Sequence, residues 1–155
     1  SLEEKKVQAK EQARLYDKIA MEVKPQLDVL TIHKGYILVS DSGTLGRVTY
    51  ALQQHDGHVA TNNLIRIVCK DIAMRGYLYE FLQSSLGQSL MLKNSYGTNQ
   101  EHLEPDIIAD IPIPVPADRT MVEQIGNTVI DSIEQLEQSI ASGNNARSLL
   151  SGILN

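Results

Sequence analysis

The stretch with the clearest chemical potential is residues 40–47, which read Ser-Asp-Ser-Gly-Thr-Leu-Gly-Arg. Small residues with two glycines let backbone N–H groups approach a phosphate closely. The stretch lacks the Gly-Lys-Ser/Thr ending of a nucleotide P-loop and leads into a second β-favouring run, which excludes that motif. A turn between two strands, with Gly43 and Gly46 at positive φ, is favoured for the motif alone, and phosphate binding stays open.

A second polar stretch, residues 94–100, interleaves Tyr96 with amides and hydroxyls. Such amides can pair with adenine in the major groove, and tyrosine can contact phosphate or stack. A plain polar loop is favoured for this segment taken alone. The sequence contains no Asn-Pro-Pro or Asp-Pro-Pro followed by an aromatic residue, so it has no adenine-methyltransferase motif, and no glycine-rich cofactor fingerprint.

The sequence gives little support for a catalytic site or a metal site. Residues 55–58, His-Asp-Gly-His, look like a metal clip, but a closed zinc site needs about four ligands, and a hairpin turn is favoured there. Ser40 or Ser42 could form a hydrolase triad with His102 on paper, yet no Gly-x-Ser-x-Gly elbow is present. We predict no catalytic residue and no metal ligand.

Composition indicates one globular domain with an uneven charge. The 155 residues are 42% hydrophobic and carry a net charge of −5. Residues 1–100 hold twelve Lys/Arg against ten Asp/Glu, whereas residues 101–155 hold two against nine. On charge alone, an acidic solvated helix is the favoured explanation. We expect a cytoplasmic protein with no membrane partner, because the apolar runs are too short to span a bilayer, and Cys69 as a buried, reduced thiol.

The elements that would position these loops are strands followed by helices. β-Favouring runs joined by short turns predict a curved mixed or antiparallel sheet. The prolines at 112, 114 and 116 predict an edge strand or a polyproline-like crossing. The fold class is therefore α/β, in the α+β sense, with flanking helices. The predicted elements are a helix at about 2–23, strands at 36–40, 47–52 and 64–69, and helical spacing from 76 onward.

A long C-terminal helix is predicted from the N-cap Asp118. Its apolar residues step by three and four positions, the register of a coiled-coil seam for a partner helix. Gly143 can break this helix, and the sequence leaves open whether it continues. We place residues 1–117 in one domain and 118–155 in a helical spacer or dimerisation segment. The seam consists of Val122, Ile125, Val129, Ile133, Leu136 and Ile140.

Five blocks in order resemble a known family. Residues 35–48 read GYILVSDSGTLGRV, similar to the family pattern Gly-Asp/Trp-Ile-Leu-Val-Ser-Arg-Ser-Gly-Thr-x-Gly-Arg-Val. From about Gln26 to Ile140 the chain resembles a target recognition domain of a type I restriction–modification specificity subunit. The other blocks are NLIRI at 63–67, GYLYEFLQSSLG at 76–87, YGT at 96–98 with QEHL at 100–103, and IPIPVP at 111–116.

The resemblance implies a non-catalytic reader of one half of a split double-stranded DNA target. In that family the helix after each domain pairs as a coiled coil and docks methyltransferase subunits. S-adenosylmethionine belongs to those subunits, ATP and Mg belong to partner subunits including the restriction subunit, and no cofactor is expected here. A homodimer or a second recognition domain would pair through the C-terminal helix.

The sequence departs from the family pattern at Asp41, where Arg is common, and at Tyr36, where Asp or Trp is usual. It also carries one recognition domain instead of two, as a fragment, a second half or a dimerising half-subunit would. Base contacts are expected in the variable stretches and phosphate contacts from the basic residues. The predicted DNA-binding residues are Lys5, Lys6, Lys10, Ser42, Thr44, Arg47, Asn62, Lys93, Asn94, Tyr96, Thr98, Asn99 and Gln100.

Two other functions stay open on the sequence. One is the recognition domain of a single-chain DNA adenine methyltransferase, detached from its catalytic domain. The other is a protein-interaction module that uses the 118–140 helix without a DNA role. An Asn-Pro-Pro-aromatic motif upstream in the same reading frame would favour the first, and partner function that survives charge reversal at Lys93 and Arg47 would favour the second.

Overall fold

The computed structural model describes residues 28–61, 63–93 and 102–154, so the helix predicted at about 2–23 lies outside the described residues. The described chain forms a three-stranded sheet, helices on it and one long C-terminal helix. The elements are β1 (Ile37–Ser40), β2 (Val48–Tyr50), a 3-10 turn (Gln53–His55), β3 (Leu64–Ile67), α1 (Ile72–Gln83), α2 (Ser85–Leu92), α3 (Pro105–Ala109) and α4 (Arg119–Leu154).

The sheet has the order β2-β1-β3, and both pairings are antiparallel. The central strand β1 is apolar without alternation because both of its faces are covered. Ile37 and Val39 join the main core on the helix side, whereas Leu38 packs with Ile32 and Ala51 on the other side. The predicted α+β class, with an antiparallel sheet and a long C-terminal helix, is confirmed.

The strands are shorter than the sequence predicts. Ile37, the first residue of β1, pairs with Tyr50 of β2 on one side and with Ile67 of β3 on the other, and these two residues end their strands. Cys69 therefore lies outside β3 and is only partly buried, contrary to the prediction of a buried thiol. Beyond β2, Ala51 still exchanges backbone hydrogen bonds with Gly35 and Tyr36 (2.8 Å each). The turn at residues 55–58 forms no hairpin, because β2 and β3 lie on opposite sides of β1.

The N-cap residues Asp71 and Ser84 determine where helices α1 and α2 begin. Asp71 accepts a hydrogen bond from the Met74 N–H (2.9 Å), so α1 begins several residues before Gly76. Ser84 accepts one from Gly87 N–H (3.1 Å) and starts α2 directly after α1. The prolines at 112, 114 and 116 lie in neither helix nor strand, in agreement with a crossing segment, and Tyr77 donates its hydroxyl to the Pro114 carbonyl.

The C-terminal helix α4 begins behind Asp118, whose carboxylate accepts from the Thr120 N–H (2.9 Å) as predicted. It runs unbroken to Leu154, so Gly143 does not interrupt it. A glycine inside a helix costs about 1 kcal/mol relative to alanine, too little to end a helix of this length. Within the described residues, no helix is long and apolar enough to cross a membrane.

α4 crosses α1 at two glycines. Both Gly76 and Gly126 are buried, and a methyl group on Gly126 would overlap the Ala73 carbonyl while one on Gly76 would overlap the Gly126 carbonyl. The two helix backbones therefore touch without a side chain between them. Only glycine permits this approach at either position.

Gly126→Ala is expected to lower the free energy of unfolding by about 3 kcal/mol, because overpacking a backbone contact forces the helices apart. Gly143→Ala is the matched control, since nothing lies within 4 Å of the added Cβ. It should raise stability by about 0.5–1 kcal/mol through helix propensity. Urea unfolding measures both, and equal effects at the two positions would contradict the close crossing.

Candidate nucleic-acid interface

The 41–46 loop is closed by the last residue of β1. Ser40 Oγ donates to the Thr44 carbonyl and accepts from the Arg47 N–H (3.0 Å), while the Ser40 carbonyl accepts from the Gly46 N–H (2.9 Å). Gly43 and Gly46 have φ of 68° and 74°, as predicted for a turn. One serine therefore holds both arms of the loop in a single conformation.

Helix α2 contacts the loop through Gln88 and Leu92. Gln88 Nε2 donates to the Gly46 carbonyl (3.1 Å) and to the Leu82 carbonyl (2.8 Å), which ties the loop to the end of α1. A Cβ on Gly46 would lie 3.2 Å from Leu92 Cδ2, so the loop backbone rests directly on the last turn of α2. The loop is thus placed by the helices, and Gln88 acts as a positioning residue.

Three separate segments meet at Asp41. Its N–H donates to the Asn63 carbonyl (3.2 Å), and its carbonyl accepts from the Leu103 N–H (2.9 Å). Asn63 follows the predicted DNA contact Asn62, and Leu92 and Leu103 flank the predicted reader segment 94–100. The structure therefore brings the flanks of all three predicted loop regions to one end of the sheet.

The predicted site residues divide by what the structure describes. Thr44, Arg47 and Lys93 are exposed at this end of the sheet, and Ser42 is partly buried. Lys93 shares a cleft with the carboxylates of Asp106 and Asp110, which reduce its net positive field. Outside the described residues lie Lys5, Lys6, Lys10, Asn62, Asn94, Tyr96, Thr98, Asn99 and Gln100.

Most other described cations serve the fold. The Arg66 guanidinium donates to the carbonyls of Leu64 (2.7 Å) and Leu30 (2.8 Å) and to two more carbonyls from residues 60 and 61. Arg66 therefore occurs in an apolar strand because its guanidinium joins three chain segments by hydrogen bonds to their carbonyl groups. The remaining structural pairs are Arg75 with the Cys69 carbonyl (2.8 Å), Lys34 with Glu137 (2.7 Å), and Arg119 with Asp71 and Glu123.

Among the described residues, the side chains of Arg47, Lys70 and Lys93 take part in no hydrogen bond or ion pair. Lys70 follows β3 at the level where β1 begins, so it lies at the opposite end of the sheet from the loop. Arg47 and Lys93 adjoin the loop itself. Within the described part of the chain, the positive charge available to an anion at this end therefore comes from these two side chains.

A polar groove beside Arg47 contains residues that the sequence did not single out. Thr49, Tyr79 and Gln83 line it together with Thr44 and Arg47. Burial raises the pKa of the Tyr79 phenol, which keeps it a neutral hydrogen-bonding group. Thr49 could have been found, because it is the exposed position between Val48 and the buried Tyr50 on an edge strand; Gln83 carries no comparable signal.

Asp41 places negative charge within this site. One carboxylate oxygen, Oδ1, is buried and has no hydrogen-bond partner. A carboxylate repels phosphate, so the loop by itself is no phosphate cradle. Among the described residues, the positive charge beside it comes from Arg47 and Lys93. No group of three or more potential metal ligands occurs in the part of the chain that the structure describes.

The predicted helix seam is split between two faces of α4. Val122 is only 1% exposed, and Ile133 and Ile140 pack on the main core. Ile125 and Leu136 are exposed instead, and they line an open groove with Met121 and Tyr79. The half-buried Val129 lies between the two faces and, like Ile133, borders this groove. The seam thus contains residues that hold the helix to its own domain and residues that face outward.

Ser40→Ala is expected to speed amide hydrogen exchange at Arg47, because it removes the nearer of the two acceptors of that N–H and leaves only the Thr44 carbonyl at 3.3 Å. The lost bond is worth about 1 kcal/mol. Ser89→Ala is the control, since Ser89 Oγ bonds only its own helix at the Ser85 carbonyl. Exchange measured by NMR should rise at residues 44–47 in the first variant alone. An unchanged rate there would show that Ser40 does not hold the loop.

Comparison with known proteins identifies a family for this chain. No curated protein and no solved structure matches the chain. One family model, described as the type I restriction modification DNA specificity domain, matches residues 4–142, which is most of the sequence. The match includes the loop, both middle helices and the part of α4 that packs on the domain. The chain therefore belongs to the family of type I restriction modification DNA specificity domains.

Proposed function

We propose that this chain reads one half of a split double-stranded DNA target and carries that specificity to the methyltransferase and restriction subunits of a type I complex. It performs no chemistry itself; methyl transfer from S-adenosylmethionine and ATP- and Mg-dependent cleavage belong to the partners. The observation that supports this most directly is the meeting of the loop regions at Asp41, within the matched family region.

The DNA-facing surface is the end of the sheet that bears the 41–46 loop. The side chains of Arg47 and Lys93 have no partner among the described residues and are suited to phosphate contacts, which fix position but carry no sequence information. Amide side chains in the adjoining variable segments are suited to base edges. Thr49 and Gln83 join this surface through the groove beside Arg47.

Weak binding by the isolated chain follows from its charge. Phosphate neutralisation supplies most non-specific affinity, and residues 1–100 have a balance of only +2 from their twelve basic and ten acidic residues. Asp41, Asp106 and Asp110 further reduce the field at the proposed surface. Firm binding therefore requires the methyltransferase subunits, which hold the same DNA.

The outward face of α4 is the surface for those partners or for a second recognition domain. Its residues recur at helical spacing, carry no charge and include small side chains that admit a close helix. They avoid Val122, Ile133 and Ile140, which the domain already uses. The face consists of Met121, Ile125, Thr128, Ser132, Leu136, Ser139, Gly143, Ala146, Leu150 and Ile153.

The proposal is tested by reconstitution with cognate methyltransferase subunits. The complex should methylate one defined bipartite sequence, and exchange of residues 1–117 for those of another family member should change one half of that sequence only. Sequencing of modified bases in genomic DNA reads both results. The proposal fails if no defined sequence is methylated or if the exchange leaves the target unchanged.

Arg47→Ala and Lys93→Ala are each expected to weaken DNA binding by the complex at all sequences. Each should also reduce the slope of log affinity against log salt by about 1, as loss of one phosphate contact requires. Lys70→Ala is the control, because Lys70 is equally exposed at the opposite end of the sheet. Equal losses in all three variants would place the DNA elsewhere.

Leu136→Glu is expected to abolish association with the methyltransferase subunits while leaving the chain folded, because this side chain is 52% exposed and faces the open groove. Gln138→Glu adds the same charge at an exposed position outside the apolar face and should leave assembly unchanged. Sedimentation measures assembly, and thermal unfolding checks the fold. Normal assembly of the Leu136 variant would exclude this face.

A further inference from the structure

α4 is fixed to the reading domain at three levels along its length. Near its start, Arg119 pairs with Asp71, the residue that caps α1. About two turns after Arg119, Gly126 of α4 contacts the backbone of α1. About three turns beyond that, Glu137 bonds to groups at the far side of the sheet. Three such points along one axis restrain both the position and the direction of the helix.

Glu137 is the last of these three points along α4, and both of its carboxylate oxygens accept hydrogen bonds. Its Oε2 accepts from Lys34 Nζ (2.7 Å), and its Oε1 accepts from the Gln53 N–H. Its side chain is 16% exposed. The Lys34 ammonium lowers the pKa of the Glu137 carboxyl, and the carboxylate in turn raises the pKa of Lys34, so the pair is charged at neutral pH. Charge-assisted bonds of this kind are about twice as strong as neutral ones.

The two bonds join separate parts of the reading domain to the helix. Lys34 precedes β1, whose other end carries the 41–46 loop, and Gln53 follows β2. The central strand and its neighbour are thus tied to one carboxylate on α4. A rotation of the sheet relative to the helix would break both bonds together, because they reach the same side chain from different strands.

Beyond Ile140 the helix has no residue in the core. Leu149, Leu150, Ile153 and Leu154 are all exposed, the last two at 80% and 75%. This projecting part, residues 141–154, extends for roughly 20 Å at 1.5 Å per residue. Among the described residues, this part faces the domain only at Ala141 and Asn144, which line a cavity with Leu52 and Gln53. Its direction therefore depends mainly on the contacts before it, of which Glu137 makes the last polar ones.

We propose that Glu137 is a positioning residue for target spacing: with Lys34 and Gln53 it fixes the angle between the reading loops and the projecting part of α4. Whatever the projecting part joins is then held at one distance and orientation from this half-site. The inference rests on the proposed function, since it supposes that α4 leads to a second reader. Loss of the clamp loosens the spacing between half-sites without altering which bases are read.

The angle is measured first without DNA. Spin labels at cysteines replacing His58 and Ser151, both exposed, report the distance from the domain to the projecting helix in the full chain, on a Cys69→Ser background. Wild type should give one narrow distance distribution. Glu137→Ala should raise the population outside that peak about tenfold, from the loss of charge-assisted hydrogen bonds. Asp131→Ala, which removes an exposed acidic side chain of α4 away from Lys34, is the matched control and should stay narrow.

The spacing is measured next in the reconstituted complex, with duplexes that carry both half-sites separated by spacers of varied length. Wild type should prefer one spacer, and Glu137→Ala should lose about tenfold of that preference while keeping its half-site sequence. Glu137→Gln, which retains an acceptor for the Gln53 N–H, should lie between the two and covers the case in which the alanine variant fails to fold.

The outcomes separate the inference from the proposed function. A Glu137 variant with a wild-type distance distribution and wild-type spacer preference overturns the positioning role while leaving DNA reading intact. A variant that loses half-site sequence and spacer preference together also overturns it, because Glu137 would then act on reading itself. A wild-type complex that selects no sequence overturns the proposed function, and the spin-label distances still report the clamp.

Discussion

The contact between Gly76 and Gly126 is the constraint on which the arrangement of the whole chain depends. With no side chain between the two backbones, α4 is in direct backbone contact with α1. This closeness turns Val122 and Ile133 into the domain and leaves Ile125 and Leu136 outside. It also brings Glu137 within reach of Lys34. The helix therefore has one face toward the domain and one face outward because Gly76 and Gly126 carry no side chain.

The reading end of the sheet is organised by a different principle, backbone hydrogen bonding at the end of β1. Ser40 closes the loop, and Asp41 joins it to the segments that contain Asn63 and Leu103. Among the described residues, Arg47 and Lys93 are the unpaired cations at this end, since Arg66 donates to backbone carbonyls. Under the proposed function, two such cations beside several carboxylates favour selective contacts over strong unspecific attraction to DNA.

Much of the fold could be predicted from local pattern. The three apolar runs, the turn at Gly43 and Gly46 and the cap at Asp118 are all visible in the sequence. Strand ends were not, because they depend on the register with Ile37, a non-local property. For the same reason the seam of α4 was predicted as one face: periodicity identifies apolar residues but not which neighbour they contact. Tertiary partners, such as those of Glu137 and Gln88, leave no local signal.

The attachment at Asp41 has a consequence for how such a domain can change over time. Both of its hydrogen bonds use main-chain atoms only, donating to the Asn63 carbonyl and accepting from the Leu103 N–H. Main-chain groups are the same in every residue except proline. The adjoining segments can therefore exchange their side chains, and even their lengths, while the anchorage persists. The backbone bonds at Asp41 must persist for the domain to keep its shape, whereas the side chains of the segments that they hold can change.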